Sequence, residues 1–161
     1  MSAAWKRLLG ACETAGASLL VALALVFAVD VALRYALGVT ASWIVDLEWY
    51  LGATALCLAL APALAADAHV RVDVFWSRLS PTARVGIRRV GHLVLLLPWC
   101  AFVVYASARY AYNGYLIGEG SPDPGGLPLR WAIKAVVPLG FLLLAGEGLR
   151  QLLPPGERRA R

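Results

Sequence analysis

The type and placement of the two histidines in this chain make them the first candidates for residues that support chemistry. His69 and His92 fall at the same end of two successive apolar segments. Two imidazoles at one end of a helical bundle can ligate a haem iron, as in the membrane anchors of respiratory enzymes. The charged, loop-like surroundings of His69 argue against a haem. For this reason, a haem-bearing anchor of a membrane oxidoreductase is only the alternative hypothesis.

A second candidate is the pair of charges inside the first apolar segment. Asp30 and Arg34 are four residues apart, so they share one helical face and can form an ion pair. Ionisable residues within a membrane are functional candidates by default. The favoured interpretation is structural: with Asp46 and Glu48 nearby at the outer end, the pair either ties the first two helices together or extends to the membrane surface. An ion path in a small self-assembling exporter is the other interpretation, and it would place the acids nearer the bilayer centre.

The sequence contains no motif for enzymatic catalysis. It lacks a phosphate-cradling glycine motif, a nucleophile with a base, and a cluster with metal-ligand spacing. The cysteines Cys12, Cys57 and Cys100 are far apart and suit small apolar fillers. Basic residues fall in short stretches between apolar segments, which is typical of topology signals and not of a nucleic-acid surface. We expect no enzymatic activity, no bound cofactor and no nucleic-acid partner.

Composition identifies the solvent of this chain as lipid. Of its 161 residues, 60% are hydrophobic and 16% are charged, whereas a soluble domain has about half and a quarter. Four windows are long and apolar enough to cross a bilayer. They cover residues 15–37, 43–66, 90–112 and 131–153. We therefore predict an all-α integral membrane protein, with one membrane domain over residues 1–161.

The distribution of Lys and Arg predicts the orientation of the chain. Eleven of these residues fall before the first window, between the second and third, or at and beyond the end of the fourth, against four on the opposite side. By the positive-inside rule, both termini and the middle loop lie in the cytoplasm.

Segments next to the spans give three further expectations. Ser80 and Pro81 form an N-cap followed by proline, so the third helix should begin there and extend into the cytoplasm. The stretch 121–128 contains three prolines and two glycines and should form a fixed turn. A short interfacial helix, or else a frayed tail, should precede the first span. Its apolar face would hold four residues: Trp5, Leu8, Leu9 and Cys12.

Three stretches carry a resemblance to a known family. They are Trp-Ile-Val-Asp-Leu-Glu-Trp at 43–49, Ala-His-Val-Arg-Val-Asp-Val-Phe at 68–75, and Ser-Pro-Asp-Pro-Gly-Gly-Leu-Pro-Leu-Arg-Trp at 121–131. In order and spacing they resemble the small membrane subunit of tripartite ATP-independent periplasmic (TRAP) transporters, the DctQ family. The resemblance covers nearly the whole chain.

The resemblance implies a sodium-coupled importer of organic acids or related small solutes in the bacterial inner membrane. In such a system a soluble DctP-like periplasmic protein captures the substrate, and a large multi-helix DctM-like subunit moves it. The small subunit packs on the stationary part of the large one and helps to dock the binding protein. It would contact neither substrate nor sodium directly.

The matching positions are candidates for subunit contacts or for the chain's own fold. They are Trp43, Asp46, Glu48, His69, Arg71, Asp73, Pro124, Gly125, Gly126, Pro128, Arg130 and Trp131. Asp46 stands where some relatives carry a second Glu or another polar residue. Small residues in the second span are expected to form a docking face. These are Gly52, Ala53, Ala55, Ala59, Ala61 and Ala63.

Overall fold

The computed structural model describes residues 2–68 and 79–153, which form four long helices. These are α1 (Ala3–Leu37), α2 (Ser42–Ala65), α3 (Pro81–Leu116) and α4 (Arg130–Leu152). Each is long and apolar enough to cross a membrane. Each predicted window falls within one helix or overruns it by one residue. The prediction of an all-helical chain with four long apolar helices is confirmed.

Local capping signals explain where the helices start and stop. The Ser2 hydroxyl accepts a hydrogen bond from the Trp5 amide at 3.3 Å and begins α1. Ser80 does the same for the Ala83 amide at 3.2 Å, so α3 starts at Pro81 as predicted. Gly38 ends α1 in the left-handed region, with φ of 65°, where glycine is favoured.

The expectation of a separate N-terminal helix is wrong, and so is that of a frayed tail. α1 runs without interruption for 35 residues. Leu9, Cys12 and Gly16 are buried along one face, and a β-carbon at Gly16 would lie 3.3 Å from the Ala55 carbonyl oxygen. The buried face of α1 therefore begins at Leu9, before the predicted span, and nothing between Leu9 and Gly16 breaks the helix.

The helices are arranged in a row in the order α1, α2, α4, α3. The principal contacts join α1 to α2, α2 to α4, and α4 to α3. In the most apolar windows of α2 and α4, 22% and 28% of residues are buried, against 11% for α1 and for α3. The two outer helices thus leave most of their apolar surface uncovered by this chain.

Small residues bring the two central helices close together. A β-carbon at Gly140 of α4 would lie 2.8 Å from both the β-carbon and the carbonyl oxygen of Cys57 on α2. Ala55 and Ala61 are fully buried inside the chain. The expectation that all the small residues of α2 form a docking face is therefore wrong, because these two are already used for internal packing.

Candidate functional site

The segment 117–129 folds into a closed loop at the end of α3 and before α4. Gly118, with φ of 62°, ends α3, and the Glu119 amide donates back to the Gly114 carbonyl at 2.9 Å. Across the loop, the Ser121 amide donates to the Leu127 carbonyl at 3.0 Å. The Arg130 amide donates to the Glu119 carbonyl at 2.9 Å. The predicted turn is confirmed, and its backbone bonds hold it in one shape.

Asp46 anchors this loop to the start of α2. Its Oδ2 accepts a hydrogen bond from the Leu127 amide at 2.8 Å, although the two residues are 81 positions apart. A β-carbon at Gly126 would collide with Ser121 and lie 2.5 Å from that same oxygen, so only glycine fits there. The structure therefore brings together two of the predicted motifs, the one around Asp46 and the one from Pro124 to Pro128.

A groove of about 410 Å³, lined by both polar and apolar side chains, opens beside this anchor. The loop closes one side, where the Tyr50 hydroxyl donates to the Pro128 carbonyl at 3.4 Å. The groove is lined by residues of α2, α3, α4 and the loop. Among them are Asp46, Trp49, Tyr110, Asp123, Arg130 and Lys134. We call it the loop-end groove.

The two cations of the loop-end groove differ in how they are held. The Lys134 ammonium pairs with Glu119 and lies 3.6 Å from the centre of the Tyr110 ring. By contrast, the Arg130 guanidinium makes no hydrogen bond or ion pair within residues 2–68 and 79–153. Of the two cations of the groove, Arg130 is therefore the one that remains open to an outside partner.

The two tryptophans of the predicted motifs have different environments. Trp131 meets the ring of Tyr115 edge to face, with centroids 5.1 Å apart, and so joins the start of α4 to the end of α3. Trp43 is 48% exposed at the start of α2. Trp131 contributes to the fold, whereas Trp43 lies on the outer surface of this chain.

The predicted pair between Asp30 and Arg34 is present, with 2.6 Å between Oδ2 and Nη2. Asp30 is only 3% exposed, and Glu48 lies within electrostatic range of both residues. The carboxylate oxygens Asp30 Oδ1 and Glu48 Oε1 are buried without a hydrogen-bond partner in the described part of the chain. The bond between Asp30 and Arg34 lies within α1, and in the described structure Glu48 of α2 interacts with both charges only through space. The interpretation that these charges tie α1 to α2 therefore stays a prediction.

At the opposite end, where α1 begins and α2 and α4 end, a fully buried carboxylate holds three helices together. Glu147 accepts from Arg150 Nε at 2.7 Å, from Trp5 Nε1 at 2.9 Å and from Gln151 Nε2 at 2.9 Å. Gln151 also donates to the Leu64 carbonyl of α2 at 3.0 Å. The pair with Arg150 is local, three residues along the same helix, whereas Trp5 comes from 142 positions away, so its contribution has no local signal in the sequence.

Part of the predicted site lies outside the described residues. His69, Arg71 and Asp73 all fall between residues 68 and 79, so the proposed pairing of His69 with His92 is not tested by the structure. His92 itself lies in a π-helical turn of α3, His92–Leu96, just before Pro98. Across residues 2–68 and 79–153, no group of three or more His, Cys, Asp or Glu could hold a metal.

Four apolar spans, uncovered outer faces and two polar ends define a multi-pass membrane protein that has surfaces to offer to other subunits. The family model described as tripartite ATP-independent periplasmic transporters, DctQ component, matches residues 23–154. The chain belongs to this family, as the sequence motifs predicted. A comparison with curated proteins finds no match.

Membership has direct consequences for the competing hypotheses. The DctQ component is part of a transporter and is not an enzyme, so the redox-anchor and lone-exporter hypotheses give way to that of a transporter subunit. A tripartite assembly implies partners of the DctM and DctP types.

Proposed function

We propose that this chain is the small accessory membrane subunit of a sodium-coupled TRAP importer for organic acids or related small solutes. It packs on the large DctM-like permease subunit in the bacterial inner membrane and helps to dock the DctP-like binding protein. Both termini lie in the cytoplasm, and the loop end faces the periplasm. The family match and the bias of Lys and Arg support this proposal.

The loop-end groove carries the docking part of the proposal. A binding protein must find the same surface on each cycle, which favours a preformed site over a flexible one. The loop is held by its own backbone bonds and by Asp46. Arg130 stands in this groove with an uncommitted charge, which suits an acidic or hydrogen-bond-accepting patch on an incoming protein.

Packing within the chain supports an accessory role and not a transport path. α2 and α4 approach so closely at Cys57 and Gly140 that a β-carbon could not be added. The groove between α1 and α2 is bordered almost entirely by apolar side chains. A hydrated ion or organic anion needs polar partners along its route through a membrane, and the large subunit is the component that would provide them.

The proposal is tested by reversing the open charge. We expect Arg130→Glu to reduce uptake at limiting binding protein about tenfold, as loss of a rim charge mainly slows association. Insertion and complex assembly should remain intact. Arg109→Glu is the matched control, because in the described structure the hydrogen bond and the ring contact of Arg109 both go to Tyr105 of its own helix. If transporters with Arg130→Glu and with Arg109→Glu showed equal uptake, Arg130 would have no role in docking.

Replacement of Pro124 to Gly126 by serines tests the loop itself. The change should weaken uptake while the protein still inserts, since the loop faces the docking side. Normal uptake with this scrambled loop would refute the docking role.

A further inference from the structure

A second groove, of about 560 Å³, lies between α1 and α2 on the outer face of the row. Leu23 and Phe27 line it from α1, and Gly52 and Leu56 line it from α2. Phe27 and Leu56 are more than half exposed, at 53% and 66%. We call it the α1–α2 groove. It is an apolar surface that no other part of the described chain covers.

The floor of the α1–α2 groove admits close approach by another helix. Gly52 and Ala53 lie along it, and they carry no side chain or a single methyl group. Small residues at such positions let helix backbones pack at short range within a membrane. Unlike the buried Ala55 and Ala61, these two small residues of α2 are still accessible.

Carboxylate oxygens at the polar edge of the groove lack hydrogen-bond donors in the described structure. Glu48 lines the groove and makes no hydrogen bond within the described residues. Behind it, Asp30 uses one oxygen on Arg34 and leaves Oδ1 without a donor. In the described structure Arg34 thus pairs with Asp30 alone, and Glu48 is influenced by both charges only through space. Lipid tails cannot donate hydrogen bonds, and an unsatisfied carboxylate is costly at membrane depth.

We propose that the α1–α2 groove is the surface on which the large permease subunit packs, and that a transmembrane helix of that subunit brings a lysine, arginine or other hydrogen-bond donor to Glu48. This inference rests on the proposed function. The charge of the groove indicates which occupant fits it. Asp30 and Glu48 each leave a carboxylate oxygen without a hydrogen-bond donor in the described residues, so a helix that carries such a donor fits this surface. The uncovered face of α3 around Val94 and Phe102 has no acidic residue from His92 to Ala106, and it suits lipid tails.

Site-specific photo-crosslinking in the co-expressed transporter tests this assignment. A photo-reactive phenylalanine analogue placed at Leu56 should crosslink to the large subunit. The same analogue at Phe102, which is 61% exposed on α3, should give at least about tenfold less of that product, the contrast expected between a buried contact and a lipid-facing position.

Each other outcome of crosslinking has a defined meaning. Crosslinks from Leu56 only to lipid, or to a second copy of this chain, would overturn the inference. If the large subunit still co-purified in that case, the accessory role would stand and only the surface would be wrong. If the large subunit failed to co-purify with the unmodified chain, the proposed function itself would fail.

A charge-neutral variant examines the polar contact separately. Glu48→Leu keeps the approximate size of the side chain and removes both acceptor oxygens, and we expect it to raise the dissociation constant for the large subunit about tenfold, as for a lost hydrogen bond to a charged group. Glu13→Leu, at an exposed acid on α1, is the control. Unchanged affinity with Glu48→Leu would remove the donor from the proposal, and the thermal stability of the isolated subunit would show whether folding had changed instead.

Discussion

The two ends of this helix row use charged residues in opposite ways. At the end of α4, Glu147 is fully buried and receives hydrogen bonds from Trp5, Arg150 and Gln151. At the loop end, Asp46 is only partly buried and its bond to the Leu127 amide holds a surface loop, while Arg130 is left open. The charged residues around Glu147 join helices, whereas Arg130 at the loop end presents its charge to the outside.

This difference assigns the two ends of one small membrane protein to different tasks. The Glu147 end stabilises the fold, and the loop end serves recognition. The contacts of Glu147 connect α1 and α4 directly and reach α2 through Gln151, so breaking them should loosen the whole row. The contact of Asp46 connects α2 to a loop, so breaking it should alter one surface. Variants at the two ends should therefore fail in different assays, as the following predictions state in order of expected effect.

The largest effect is expected from Glu147→Leu. The change removes the acceptor of three donors and leaves the Arg150 guanidinium without its partner. Removal of one member of a buried ion pair costs about 3–5 kcal/mol, and we expect about 3 kcal/mol because the Arg150 side chain is 20% exposed. Thermal unfolding in detergent measures the loss. Glu13→Leu on the open side of α1 is the control, and equal stability of the two variants would contradict the account.

A smaller loss of stability is expected from Trp5→Phe. Phenylalanine removes the Nε1–H donor to Glu147 and also the distal carbons of the indole, Cη2, Cζ2 and Cζ3, which lie against Gly146. Loss of a hydrogen bond to a charged group costs about 1.5–3 kcal/mol, and the partly buried position favours the lower value. Trp43→Phe, at an exposed tryptophan, should leave the free energy of unfolding unchanged. The same detergent unfolding series compares the two substitutions.

The smallest change in stability, under about 1 kcal/mol, is expected at the loop end from Asp46→Ala. Here the Leu127 amide loses its acceptor, and the loop should become more open to proteases and less active in uptake. Asp46→Asn retains an acceptor oxygen and should preserve both properties to a large extent. If Asp46→Ala instead destabilised the protein as strongly as Glu147→Leu, the division between the two ends would be wrong.

The local features of the fold were predictable from the sequence. Long apolar windows predicted the four helices, Ser80 with Pro81 predicted the start of α3, and spacing predicted the pair of Asp30 with Arg34. Each of these depends on residues that are close together in the chain. The continuous α1 was missed, because a polar stretch at Lys6 and Arg7 reads as a surface helix unless the buried face behind it is known.

The long-range contacts of the site were not predictable in this way. Nothing in the local pattern joins Trp5 to Glu147 or Asp46 to Leu127, since these contacts depend on the order in which the helices pack. The family resemblance marked Asp46 and the loop as important positions, but it did not show that they contact each other. The structure supplies that relation, whereas the motif with His69, Arg71 and Asp73 stays a prediction outside the described residues.

Native mass spectrometry of the tagged chain, gently extracted from its own membrane, tests the central claim of an accessory subunit most directly. We expect a stoichiometric complex with a much larger membrane protein that carries no haem. A homo-oligomer of this chain alone would contradict the claim and favour a self-assembling exporter. A complex that carries haem would contradict it as well and favour the redox anchor.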